Sequence, residues 1–209
     1  STLARSVAAR LNFLYVDTGA IYRTIGYAVW RKGIDPRDRS AVVAVLPDLE
    51  ICLTYGTDGL QHMELNGMDV TAEIRLPEVS RYASLVSAYP EVRAYLLEMQ
   101  RQLARENSVV MDGRDIGTVV FPDAELKLFM TADTAVRACR RYKELTGKGM
   151  SVTMEEVERN IRERDKADMS RAVSPLRQAD DAIVLDNSHM SVDEQMAWFM
   201  NEFQLKMKN

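Results

Sequence analysis

Three observations predict an α/β fold on a parallel sheet, interrupted by a small β-rich insert. Short apolar runs alternate with helical patterns, polar turns stand at the carboxyl ends of those runs, and one hairpin-like stretch breaks the alternation. Strands that alternate with helices imply parallel pairing through right-handed crossovers. The chain opens in a helical pattern, with Leu3, Val7, Ala8 and Leu11 at helical spacing and no capping residue ahead of them. A short strand over 13–16 ends in Asp17-Thr18-Gly19, and a helix from about 21 to 31 is closed by Gly33, with Pro36 beyond. Residues 40–47 predict a further short helix. Runs at 49–55 and 60–65, around Gly56-Thr57-Asp58-Gly59, read as a hairpin. Asn66-Gly67 adds a turn and 68–70 a third short strand, so the insert spans about 48–71. Helices follow at about 77–88 and 90–106, with Pro90 as a first helical residue. The strand Val109-Val110-Met111 leads into a polar, glycine-bearing loop, and a second apolar run covers 126–130. Helices at about 133–146 and 154–168 flank Gly147-Lys148-Gly149, with Ser151 ahead of the second. A last strand over 182–185 and an amphipathic helix from Val192 towards Lys206 complete the pattern.

Composition excludes several function classes. The 209 residues suit one domain with a small subdomain. No apolar stretch is long enough to span a bilayer, and no basic region precedes an apolar core as in a signal peptide. Cys52 and Cys139 lie far apart, which fits a reduced, cytoplasmic setting with both as small buried residues. His62 and His189 are the two histidines and are well separated, so a histidine zinc site or a Ser-His-Asp triad is not expected. A formal charge of −4 argues against nucleic-acid binding. The arginines nevertheless cluster, which favours a small anionic ligand.

Five features carry the chemistry. Asp112-Gly113-Arg114-Asp115-Ile116-Gly117-Thr118 follows a strand, at the end where open α/β sheets bind ligands. An arginine fork beside carboxylates suits an anion that also brings a metal or hydrogen-bond donors; the plainer reading is an Asp–Arg pair closing a turn. In Asp17-Thr18-Gly19-Ala20-Ile21-Tyr22-Arg23, first-turn amides, the Thr18 hydroxyl and Arg23 are placed to meet a phosphate, and a capped helix with a surface arginine is the alternative. Arg164, Asp168 and Arg171 share a face if their helix continues, either reading a ribose or forming a solvated ladder. Arg137, Arg140 and Arg141 form a similar group, suited to a lid over transferring phosphates or to an exposed basic face. Ser1 fits the last position of a phosphate-binding loop, and also suits a plain N-cap. The expectation is that the preceding strand, glycines and lysine lie upstream.

Together these residues resemble the cytidylate kinase branch of the nucleoside monophosphate kinases. Asp17 to Arg23 is similar to that family's D-[ST]-G-A-x-Y-R, and Asp112 to Ala124 to its D-G-R-D-x-G-T-V-V-F-P-D-A. Arg164-Asp165 through Arg171, with Pro175-Leu176, and Asp181-Ala182 through Asp186 match two further segments. The resemblance covers the whole chain, the β insert included. It implies a parallel-sheet P-loop kinase core, adenylate-kinase-like, forming a single kinase domain over 1–209. Within it, about 48–106 would be the inserted CMP-binding subdomain and about 132–168 the helical lid. It also implies transfer of the γ-phosphoryl of ATP, carried with Mg2+, to CMP or dCMP by a cytoplasmic monomer that binds neither nucleic acid nor membrane. Ser1 and Thr2 would bind ATP, Ser1 also the metal. Thr18, Ser84, Arg93 and Asp115 would line the nucleoside end, and Arg23, Arg114 and Arg171 belong to the same substrate site. Arg164 and Asp168 would read the sugar. The catalytic set would be Asp112, Arg114 and the lid arginines Arg140 and Arg141. On the residues alone, a kinase for another small phosphate acceptor and a non-catalytic nucleotide-binding module stay open.

Overall fold

A computed structural model describes residues 2–56 and 59–208, so Ser1 and two residues of the expected hairpin turn, Thr57 and Asp58, lie outside the described residues. The chain divides into two compact units, residues 1–113 and 114–209.

In the first unit, helix α1 (Thr2–Leu11) leads into strand β1 (Leu14–Asp17), then helix α2 (Thr18–Arg31) and helix α3 (Arg39–Val45). Strands β2 (Ile51–Tyr55), β3 (Gln61–Leu65) and β4 (Met68–Asp69) form the antiparallel insert. Helices α4 (Pro77–Val86) and α5 (Pro90–Glu106) then return the chain to strand β5 (Val109–Asp112). β5 pairs parallel with β1 in a register that sets Asp17 beside Asp112 at the carboxyl ends. α2 starts three residues before the expected Ile21, because Asp17 is the cap: its carboxylate accepts from Ala20 N–H at 3.1 Å. The core gathers around α2. Val16, Ile21, Ile25, Val29, Val42, Met63, Val79, Val86 and Leu96 are fully buried, each worth roughly 1.5–3 kcal/mol. α2 crosses α4 at Gly26, where a Cβ would lie 2.7 Å from the Ala83 nitrogen.

In the second unit, a π-helical turn at Ile116–Val120 precedes strand β6 (Leu128–Thr131), helices α6 (Thr134–Gly147) and α7 (Met154–Ser170), strand β7 (Ile183–Asp186) and helix α8 (Val192–Met207). β6 and β7 pair in parallel. Capping boxes start α7 (Thr153 with Glu156, not the expected Ser151) and α8 (Ser191 with Glu194). Val120, Ala138, Val157, Leu185 and Phe199 are its buried apolar side chains among the described residues.

The described strands form two parallel pairs and the antiparallel insert. Two expectations need correction. The Asp112 loop is not wholly irregular, since the Asp115 carbonyl accepts from the Thr118, Val119 and Val120 amides and winds the chain into a turn. Cys52 is exposed and Cys139 half-buried, because Cys52 alternates with the buried Ile51 along β2 and points away from the core.

Candidate active site

The carboxyl ends of β1 and β5 hold the first group of side chains. Thr18, buried, donates its hydroxyl to the Asp112 carbonyl at 2.8 Å. Asp17 both caps α2 and pairs with Arg23, Oδ2 to Nη2, at 2.8 Å. These two side chains cross over Gly19, where a Cβ would sit 2.9 Å from Asp17 Oδ1 and 3.0 Å from Arg23 Nη1. A larger residue there would have to push one of those two side-chain ends aside. Arg23 Nε is buried and has no hydrogen-bond partner among the described residues. Thus the Thr18 hydroxyl and the Ala20 amide, expected to face a phosphate, are satisfied internally, while Arg23 keeps an unused donor.

Asp112 also accepts from the Tyr15 hydroxyl at 3.2 Å. Burial first, then the Asp112 and Asp17 charges, push the Tyr15 hydroxyl far above its ordinary value, so it stays a donor. Arg5 lies over the Tyr15 ring, 5.5 Å from its centre. On α5, Arg93 is buried, donates to the Ser87 carbonyl at 3.0 Å and rests over the Tyr22 ring at 5.3 Å. Ser84 is half-buried one turn before that carbonyl, and its own carbonyl accepts from the Ser87 hydroxyl at 2.9 Å. A cleft of about 460 Å³ lined by Asn12, Phe13, Leu14, Glu106, Asn107 and Ser108 opens at the opposite, amino ends of β1 and β5, away from these groups.

In the second unit, three arginines converge on one carboxylate. Asp168 is buried, with Arg114 Nε at 2.8 Å, Arg171 Nη1 at 3.4 Å and Arg164 Nε at 4.0 Å. Arg171 is as buried as Asp168, whereas Arg114 and Arg164 are about half exposed. α7 stops at Ser170, so Arg171 reaches Asp168 from extended backbone rather than from the next helical turn. The chain folds back there: Leu176 N–H donates to the Asp168 carbonyl at 2.8 Å, and Ser174, in a left-handed conformation with φ of 49°, accepts from Arg171 Nε at 2.8 Å. Asp115 is buried at the head of the π-helical turn. Arg140 and Arg141, expected to be lid arginines, point apart, as consecutive helical residues must. Arg140 donates to the Asn187 side chain at 3.0 Å and carbonyl at 2.7 Å, while Arg141 pairs with Glu144 at 2.7 Å. Arg137 binds Asp165 at 2.7 Å and so ties α6 to α7.

Sequence reasoning missed Tyr15, Asp17 and Gln61. Gln61 accepts from the Asp17 N–H at 2.7 Å, yet in sequence it is an unremarked polar residue after a turn. Tyr15 reads as core in an apolar strand, and its hydroxyl tip is what gives it a polar partner. Of the other expected residues, Thr2 begins α1 and is exposed, and Ser1 lies outside the described residues.

A parallel strand pair whose carboxyl ends meet a capped helix, a half-buried arginine with a buried spare donor, and a second knot of arginines around a carboxylate suit a protein that handles small phosphorylated ligands. The comparison with known proteins gives the family. Residues 1–205 match the family model described as cytidylate kinase, and the chain belongs to that family. It is 45% identical to a cytidylate kinase of Phocaeicola vulgatus over 208 residues, covering 98% of this chain and 91% of the relative. A cytidylate kinase of Caldicellulosiruptor bescii is 44% identical over 209 residues, covering 100% and 92%. One from Flavobacterium johnsoniae is 46% identical over 201 residues, covering 94% and 87%.

Proposed function

We propose that the chain transfers the γ-phosphoryl group of ATP to CMP or dCMP, giving CDP or dCDP and ADP. The family match over residues 1–205 carries that activity. Phosphoryl transfer asks a protein for positioning and charge stabilisation rather than a nucleophilic side chain, and convergent arginines supply both.

Arg23 and Arg114 take the acceptor phosphate. The support for Arg23 is its buried, unpartnered Nε: a phosphate oxygen satisfies a donor that is costly to leave bare. The phosphate then shares Arg23 with Asp17, and shares Arg114 with Asp168. Arg164 and Asp168 read the sugar, with Arg171 bracing Asp168. Ser84 and Asp115 accept from the cytosine amino group, Arg93 donates to the ring nitrogen or carbonyl, and Thr18 closes the nucleoside end. Uracil presents the reverse pattern at the amino position and would leave buried groups unpaired, at roughly 1–3 kcal/mol each. The Tyr22 ring beneath Arg93 supports this role by holding the guanidinium in one plane. Asp112, fixed by Tyr15, stands with Arg114 in the catalytic set.

The subdomain over about 48–106 serves the monophosphate, and about 132–168 serves as a lid. Arg140 and Arg141 exchange their present partners for the triphosphate when the lid closes and excludes water. A magnesium ion bound with ATP would supply positive charge at the phosphates, and would need few protein oxygens beyond its phosphate and water ligands. Ser1, outside the described residues, is the one assigned to it, and Thr2 completes the ATP end. A cytoplasmic monomer that engages neither nucleic acid nor membrane completes the reading; no described helix is long and apolar enough to cross a membrane.

The test is Arg23→Ala. Loss of a charge-assisted contact of roughly 1.5–3 kcal/mol should raise the CMP KM by at least tenfold, with the ATP KM little changed. An unchanged CMP KM in folded protein would remove Arg23 from the site.

A further inference from the structure

The first unit contains a contact between the β insert and the site that the family assignment does not use. In a parallel pair, alternate residues of a strand bond to the partner and the others face the opposite edge. Leu14 faces β5, its N–H donating to the Ser108 carbonyl at 2.9 Å. Tyr15 and Asp17 face the open edge of β1, where two side chains of the insert meet them. The Tyr55 hydroxyl donates to the Tyr15 carbonyl at 2.8 Å. The Gln61 carboxamide mimics a strand residue: its Oε1 accepts from Asp17 N–H at 2.7 Å and its Nε2 donates to the Asp17 carbonyl at 3.2 Å. Tyr55 and Gln61 are direct cross-strand partners in the hairpin, so one pair grips residues two apart on β1.

The two grips differ in consequence. Tyr55 holds a carbonyl at mid-strand. Gln61 holds both main-chain groups of the residue whose carboxylate caps α2 and pairs with Arg23. A shift of the Asp17 peptide therefore moves the cap and Arg23 together. We propose that Gln61 is a positioning residue for the acceptor phosphate, acting through Asp17 to set Arg23, so that the insert fixes the phosphate end of the site. This rests on the reading of Arg23 as a phosphate ligand. The amide is the side chain that fits. A leucine offers neither bond. A glutamate keeps the acceptor, loses the donor, and adds a charge that draws Arg23 away from phosphate.

The experiment is a double-mutant cycle with CMP and ATP kinetics and thermal unfolding. Gln61→Leu should raise the CMP KM about 5- to 10-fold, the factor for one or two neutral hydrogen bonds, with kcat and the ATP KM within about twofold. In an Arg23→Ala background the same substitution should add almost nothing, because the group it positions is gone. Tyr55→Phe should lower the melting temperature and leave the CMP KM unchanged. If Gln61→Leu does not fold, Gln61→Glu replaces it in the cycle with the same expected rise and the same loss of effect without Arg23. Equal fold-changes with and without Arg23, or a Gln61→Leu profile matching Tyr55→Phe, would reduce Gln61 to an edge cap and overturn the proposal. If Arg23→Ala itself leaves the CMP KM unchanged, it is the phosphate reading that has failed.

Discussion

Removing the carboxylate of Asp168 should both destabilise the protein and alter its response to the sugar. Three arginines surround this one acid. Arg171, as buried as Asp168 itself, would lose this acid as a partner. Breaking a buried pair from one side costs about 3–5 kcal/mol. Arg114 and Arg164 are about half exposed and can turn to water, so their pairs add only about 0–1 kcal/mol each. Because the Arg171 contact, at 3.4 Å, is not short, the low end of the range applies, about 3 kcal/mol. For a chain of this size that is a fall of roughly 6–12 °C in melting temperature. Asp168→Ala should therefore melt well below the parent in calorimetry. CMP should raise the variant's melting temperature by less than it raises the parent's, because a sugar contact is gone and the shift tracks affinity. CMP and dCMP should also suffer unequally in KM, since only CMP carries the 2′-hydroxyl. A melting temperature within about 2 °C of the parent, together with equal losses for the two substrates, would refute the reasoning and leave Asp168 a dispensable salt bridge.

Other outcomes follow from the same structure. Gly26→Ala drives a methyl against the α4 backbone at Ala83 and should cost about 1–3 kcal/mol, read as a lower urea midpoint; an unchanged midpoint would mean that the α2–α4 crossing is loose. Stability should fall on acidification. The Asp181, Asp186 and Glu194 carboxyls are held below their usual range, first by the Lys127 ammonium, the Ser188 hydroxyl and the Ser191 amide respectively. Depressed folded values stabilise above the unfolded carboxylate range and lose that contribution as pH drops through it. The urea midpoint should thus be lower at pH 3 than at pH 7, and a flat profile would contradict the assignment.

Much of this was legible in the sequence because its signals are local. Turn residues, helical periodicity and apolar runs place the described strands and α-helices within a few residues, but not the helical turn at Ile116–Val120. The Asp17–Arg23, Asp112–Thr118 and Arg164–Arg171 segments stand out in sequence, and in the structure Asp17 pairs with Arg23 and Arg114 with Asp168. What was not legible is partnership across the chain. The sequence pattern starts the second helix at about residue 21, and only the Ala20 contact reveals Asp17 as its cap. Arg114 reaches an acid 54 residues away. Gln61 bonds main chain 44 residues back, and no pattern around it announces that. Cys52 was misplaced because a strand alternates faces and the apolar run hid which face was wet.

The central claim, an ATP-dependent kinase selective for cytidine monophosphates, is tested most directly by one coupled assay of ADP release with CMP, dCMP, UMP and AMP at equal concentration. CMP and dCMP should be phosphorylated with kcat/KM at least tenfold above UMP and AMP, the factor for one unpaired buried hydrogen bond in the base pocket. Equal turnover of UMP or AMP, or no acceptor-dependent ADP release with CMP, would contradict it.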